Sequence, residues 1–157
     1  MSARRKAKIL VADDEYVISR CVSFMLKKEG YECRSVSDGE SALEAARAER
    51  PDLLILDLDM PKKTGFEVCR ELRADPALKD IHVLVLTAQG QPMARDWRTR
   101  IEADHFMLKP FDPRALLRYV DALFAEEEAT VAEVGAVAVA VAVAVAVAVP
   151  REEPVAR

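Results

Sequence analysis

The chain has 157 residues, a formal net charge of −4 and 51% apolar residues. This length is typical of one domain with its own core, and the intermixed charges lack the basic surplus that a dedicated nucleic-acid binder carries on one face. Three cysteines, Cys21, Cys33 and Cys69, match neither a disulfide framework nor a zinc-ligand spacing, which indicates reduced thiols in a cytoplasmic protein.

The first third of the chain alternates strand and helix patterns. The apolar run Lys8–Ala12 predicts a first strand, and apolar residues spaced three and four apart after it predict a helix that stops at Gly30. Tyr31–Ser37 alternates weakly and predicts a second strand. The alanine-rich segment Glu40–Arg50 predicts the second helix, which Pro51 terminates.

The same order continues for three more units. The strands are predicted at Leu53–Leu56, Ile81–Leu86 and His105–Leu108. The helices that follow them are predicted around Phe66, Cys69 and Leu72, at Gln91–Ala103, and on a last face made by Leu116, Val120, Leu123 and Phe124. Five strands alternating with five helices predict an α/β fold, a doubly wound five-stranded parallel sheet of order 2-1-3-4-5, as in flavodoxin-like proteins.

Polar groups follow four of the five predicted strands where each strand ends. Asp13 and Asp14 follow the first strand, Asp57 the third, Thr87 the fourth and Lys109 the fifth. Taken singly, each has an ordinary explanation, such as a helix N-cap for an aspartate or a solvated lysine. Together they meet at one edge of a parallel sheet, where three neighbouring carboxylates need a cation, and oxygen ligands suit Mg²⁺. A carboxylate there can also act as a nucleophile toward phosphorus.

Four stretches carry a resemblance to a known family: ILVADDE at 9–15, LLILDLDMP at 53–61, VLVLTA at 83–88 and FMLKPF at 106–111. The sequence resembles the receiver domain of two-component response regulators. The resemblance implies that Asp57 accepts a phosphoryl group from a phosphohistidine of a sensor histidine kinase or a phosphotransfer protein. It implies that Asp13, Asp14, Asp57 and the backbone carbonyl of Asp59 bind Mg²⁺, and that Lys109 contacts the phosphoryl group.

The resemblance also implies a switch. Thr87 and Phe106 match the pair that moves on phosphorylation and remodels the face made by the fourth helix, the fifth strand and the fifth helix. The Lys109–Pro110 bond matches a peptide that is usually cis. Phe106 lacks the hydroxyl of a tyrosine, so any hydrogen bond that such a hydroxyl would make is absent. Asp59 and Gln89 occupy positions that influence the dephosphorylation rate in the family, which leaves the phosphoryl lifetime open.

The end of the chain differs in composition from the rest. Ala136–Val149 alternates strictly between alanine and valine; without it the apolar content falls to roughly 46%, as in ordinary globular proteins. We therefore expect a receiver domain at 1–125 and a low-complexity tail at 126–157. The run is too short to span a bilayer, and a disordered segment, a self-associating element and a membrane-surface contact all stay open for it.

The sequence predicts a stand-alone, cytoplasmic response regulator. It would act on a downstream protein target without binding nucleic acid or crossing a membrane, as a monomer or weak homodimer. It would not be an enzyme, although it assists its own phosphotransfer and autodephosphorylation. Two alternatives are a haloacid-dehalogenase-like phosphatase, because Asp57-Leu58-Asp59 resembles that family's nucleophile pair, and a scaffold that no longer uses phosphate.

Overall fold

A parallel sheet of five strands organises the protein. The computed structural model of the chain describes residues 6–88 and 101–132. The strands are β1 (Lys8–Ala12), β2 (Glu32–Val36), β3 (Leu53–Asp57), β4 (His82–Ala88) and β5 (His105–Lys109). They pair in the order β2-β1-β3-β4-β5, and every pairing is parallel. The predicted fold class and strand order are therefore confirmed.

Four helices are present among the described residues. They are α1 (Tyr16–Lys28), α2 (Gly39–Glu49), α3 (Gly65–Ala74) and a C-terminal helix (Pro113–Ala132). Local signals set their ends: Gly30, with φ of +98°, follows α1, and Asp38 caps α2 by accepting a hydrogen bond from the backbone N–H of Ser41. The helix predicted at Gln91–Ala103 lies largely outside the described residues, and its predicted last three residues are not helical.

The centre of the sheet is buried on both faces. All five residues of β3 are buried, as are residues 83–86 of β4, because helices cover a parallel sheet from both sides. This explains why both strands are continuous aliphatic runs in the sequence. β4 and β5 each extend past their predicted ends, so Thr87 and Lys109 lie within strands rather than just after them.

The chain divides into two compact units, residues 1–117 and residues 118–157. The first contains the whole sheet and α1 to α3. Of the second, the structure describes the helical stretch 118–132. No helix in the described part of the chain has the length and apolarity to cross a membrane, and the alanine-valine run lies outside that part.

Candidate functional site

The acidic pair after β1 splits into a buried and an exposed carboxylate. Asp13 is 1% exposed, whereas Asp14 is open to solvent. The backbone N–H of Glu15 donates to Oδ1 of Asp13 at 2.9 Å, which fixes the buried side chain. Asp14 does not cap α1, because Glu15 holds the N-cap position and no side chain caps that helix. Helix capping therefore does not explain the aspartate at position 14.

Asp57 ends β3 and is only 4% exposed. The backbone N–H of Asp59 donates to its Oδ1 at 3.3 Å. The loop after β3 closes tightly, with the N–H of Gly65 bonded to the carbonyl of Leu58 at 3.0 Å. A Cβ at Gly65 would lie 2.5 Å from the backbone oxygen of Asp57, so glycine is required for this close approach.

Lys109 joins the two buried aspartates across the edge of the sheet. Its Nζ lies 2.8 Å from Oδ2 of Asp13, 2.8 Å from Oε1 of Glu15 and 3.6 Å from Oδ1 of Asp57. The lysine side chain is 10% exposed, and the peptide bond to Pro110 is cis, as the resemblance implied. The structure thus brings the first, third and fifth strand ends together.

The pocket has an excess of negative charge. Burial, followed by the nearby carboxylate of Asp13, raises the pKa of Asp57 to about 7, although Lys109 opposes the shift. Burial alone would lower the pKa of Lys109, but its contacts with Asp13, Glu15 and Asp57 raise it above its ordinary value. In the described part of the chain, the Lys109 ammonium is the cation that contacts these carboxylates, and it offsets their negative charge incompletely.

The donor set fits a hard divalent cation. Carboxylate oxygens of Asp13, Asp14 and Asp57 all lie within 4.8 Å of one another. Oδ2 of Asp13 is buried and lies 2.8 Å from the Lys109 ammonium, and no described residue donates a hydrogen bond to it. Oxygen ligands, negative charge and one buried oxygen without a hydrogen bond are what an ion such as Mg²⁺ requires.

The remaining predicted residues occupy different surroundings. Thr87 is 1% exposed and lies beside Leu108 in the pairing of β4 with β5. Phe106 is half-buried and packs against the hydrophobic core. The side chain of Asp59 is exposed, and Gln89 lies outside the described residues.

Sequence reasoning missed Glu15. Its Oε1 accepts a hydrogen bond from Nζ of Lys109, which is 94 positions away in the chain. The only available signal was its place directly after the acidic pair. A glutamate there is equally well explained as a solvated residue at the start of a helix.

Comparisons with known proteins agree with this geometry. The sequence pattern described as "Response regulator receiver domain" matches residues 9–121. The chain is 39% identical over 121 residues to the alkaline phosphatase synthesis transcriptional regulatory protein PhoP of Bacillus subtilis, covering 77% of this chain and 50% of that protein. It is 34% identical over 133 residues to the DNA-binding response regulator MtrA of Mycolicibacterium paratuberculosis, covering 85% and 58%.

A solved structure of a response regulator has the same fold as this chain. The chemotaxis response regulator CheY4 of Vibrio cholerae superposes with a TM-score of 0.69 at 34% identity, covering 75% of this chain and 98% of that one. The chain spans about half the length of the curated relatives it matches. On sequence and structure alike, the chain belongs to the response regulator receiver domain family.

Proposed function

We propose that the protein is a stand-alone response regulator that accepts a phosphoryl group on Asp57 with the help of Mg²⁺. The observation that carries this is the arrangement around Asp57. Its buried carboxylate lies within 4.8 Å of two more carboxylates and 3.6 Å from the Lys109 ammonium. Receiver domains are signalling domains rather than enzymes, and they generally bind Mg²⁺ at such an acidic pocket.

Each residue has a chemical role in this proposal. Asp13, Asp14 and Asp57 would hold the cation, and the carbonyl of Asp59 would add a further oxygen. When bound, Mg²⁺ supplies positive charge that offsets the carboxylates and the phosphoryl oxygens. Lys109 adds a second positive charge at the equatorial oxygens of the transferring group.

The transfer itself is a displacement at phosphorus. A carboxylate oxygen of Asp57 forms a P–O bond while the P–N bond to the donor histidine breaks, and the imidazole nitrogen keeps the bonding pair and gains a proton. The product is an aspartyl phosphate and a neutral histidine. Hydrolysis of that acyl phosphate by water, assisted by the same pocket, resets the protein.

Phosphorylation then biases a two-state element. The phosphoryl group adds nearly two negative charges at Asp57, and we propose that Thr87 donates a hydrogen bond to it while the Phe106 ring turns inward. We expect the face made by the predicted fourth helix, β5 and the C-terminal helix to change in response. A sensor histidine kinase or phosphotransfer protein supplies the phosphoryl group, and a downstream protein target contacts the changed face.

The match to CheY4 covers 98% of that solved chain, which supports a receiver domain that acts without a further domain. We propose a receiver domain at 1–125, a tail at 126–157, a cytoplasmic location and a monomer or weak homodimer that does not bind nucleic acid. The relatives named as DNA-binding or transcriptional regulators match over about half their length, so their DNA contacts are not carried over to this chain.

The test is covalent modification by acetyl phosphate in the presence of Mg²⁺, followed by intact mass measurement. We expect one added phosphoryl mass on the wild type and none on Asp57→Ala. Modification that persists in Asp57→Ala would show that another residue accepts the group. Steady turnover of a phosphomonoester would favour the phosphatase alternative, and a wild type that never gains mass would favour the scaffold.

A further inference from the structure

We propose that Glu15 is a positioning residue for phosphoryl transfer: its carboxylate holds the Lys109 ammonium at the outer rim of the pocket and competes with the phosphoryl group for it. The inference rests on the proposed role of Asp57 and adds a residue to the machinery. Receiver function as described above requires an ammonium near Asp57. The structure shows that a second, outer carboxylate shares that ammonium.

The three contacts of Lys109 are unequal. Nζ lies at 2.8 Å from both Asp13 and Glu15 but at 3.6 Å from Asp57, the residue that takes the phosphoryl group. The Glu15 side chain is 57% exposed, while those of Asp13 and Asp57 are buried. The ammonium is therefore shared between a buried and a half-exposed carboxylate, and it lies farther from Asp57 than from either.

The backbone around Glu15 explains why its carboxylate is free for this contact. Glu15 is the N-cap residue of α1, a position that normally favours a short side chain able to bond the helix N–H groups. Here the side chain makes no such bond, and the Glu15 N–H donates to Asp13 instead. The local fold thus anchors the main chain of Glu15 to Asp13 and directs its carboxylate to Lys109.

Such a contact is well suited to being exchanged. A half-exposed ion pair contributes little stability, so the ammonium can leave Glu15 at small cost when a phosphoryl oxygen is offered. The ion pair between Lys109 and Asp13, at 2.8 Å, can persist throughout, because the ammonium has three N–H groups. Loss of the Glu15 contact is then the step that frees Lys109 for the phosphoryl group.

Two substitutions of Glu15 distinguish the effect of its contact with Lys109 from the effect of its negative charge alone. Glu15→Gln removes the charge and keeps the length, whereas Glu15→Asp keeps the charge and is one methylene too short to hold Lys109 in its present place. Glu44→Gln, at an exposed position of α2, is the matched control for the loss of one negative charge. The rate of phosphorylation by acetyl phosphate is measured at saturating Mg²⁺, with KM and maximal rate determined separately.

We expect both Glu15 variants to lower the KM for acetyl phosphate by about two- to fivefold, the range set by an exposed ion pair, and Glu44→Gln to match the wild type. Beryllofluoride, a phosphoryl mimic, should bind both Glu15 variants more tightly in calorimetry. A KM that changes in Glu15→Gln but not in Glu15→Asp would show that charge at the pocket entrance, not the contact, is responsible. Unchanged KM in both would overturn the proposal.

A readout independent of phosphorylation distinguishes this inference from the proposed function. In EDTA, the ¹⁵N resonance of the Lys109 ammonium should shift in both Glu15 variants and stay in place in Glu44→Gln. An unshifted resonance would overturn the contact even if Asp57 takes up phosphate normally. A wild type that takes up no phosphate, with the resonance shifted as expected, would overturn the proposed function and leave the contact established.

Discussion

Replacement of Asp57 by asparagine should stabilise the metal-free protein. The structure places this carboxylate in a buried position beside Asp13, and burial together with that neighbour raises the pKa of Asp57 to about 7, from an ordinary value of 3.8. The folded state therefore disfavours the ionised form that the unfolded chain accepts readily. Asparagine keeps the size and the hydrogen-bond acceptor of the side chain and removes the unfavourable charge.

The sign and size follow from linkage. As the pH rises from about 4 to 7, the unfolded chain loses its proton first, so the wild type loses stability across that window and then levels off. A difference of about three pKa units corresponds to a ceiling on the order of 4 kcal/mol. Solvent reaches the pocket beside the exposed Asp14, so we expect Asp57→Asn to gain about 1–2 kcal/mol at pH 8 and little at pH 4.

Urea unfolding in EDTA at pH 4, 6 and 8 measures this difference. A gain of that size moves the unfolding midpoint by roughly 0.5–1 M. Asp80→Asn, at an exposed position before β4, controls for the general loss of one negative charge. Equal stabilities of Asp57→Asn and the wild type at pH 8, or a gain that does not depend on pH, would refute the electrostatic reasoning.

Three further substitutions test other parts of the structure by urea unfolding at neutral pH in EDTA. Lys109→Met should cost about 2–4 kcal/mol, because it leaves the buried carboxylate of Asp13 without a cation, and added Mg²⁺ should restore part of the loss. Arg73→Ala should cost about 2–3 kcal/mol, since its guanidinium donates to three backbone carbonyls, whereas the exposed Arg70→Ala on the same helix should cost little. Thr64→Ala should cost about 1 kcal/mol by removing the capping box at the start of α3, and an unchanged midpoint would contradict that role.

The parts of the fold that sequence predicts well are those set by local periodicity. β3 is a continuous aliphatic run because helices cover both of its faces, and Gly30 ends α1 because a positive φ is required there. The convergence of Asp13, Asp57 and Lys109 also follows, since parallel strands present their carboxyl ends at one edge of the sheet. Strand order and the location of the candidate site could therefore be predicted from the sequence.

Side-chain contacts between distant residues could not be predicted in this way. Arg73 donates to the carbonyls of Lys79, Ile81 and Glu102, which join α3 to the segments before β4 and β5. In the sequence it is one of two arginines in α3, and nothing local distinguishes it from Arg70. The contact between Glu15 and Lys109 is similar, because it depends on rotamers and on the path of two loops rather than on any repeat.

The pocket differs from the rest of the domain in what its buried residues contribute to stability. A buried core stabilises a fold by removing apolar surface from water, whereas Asp13 and Asp57 place carboxylates next to one another with a single shared ammonium. That arrangement lowers the stability of the metal-free protein, and the same imbalance makes the pocket respond strongly to added charge. A cation would relieve the repulsion, and under the proposed function a phosphoryl group would redistribute the contacts of Lys109. A pocket already neutral and fully hydrogen-bonded would gain little from either, so the local cost in stability is what would allow the site to act as the proposed switch.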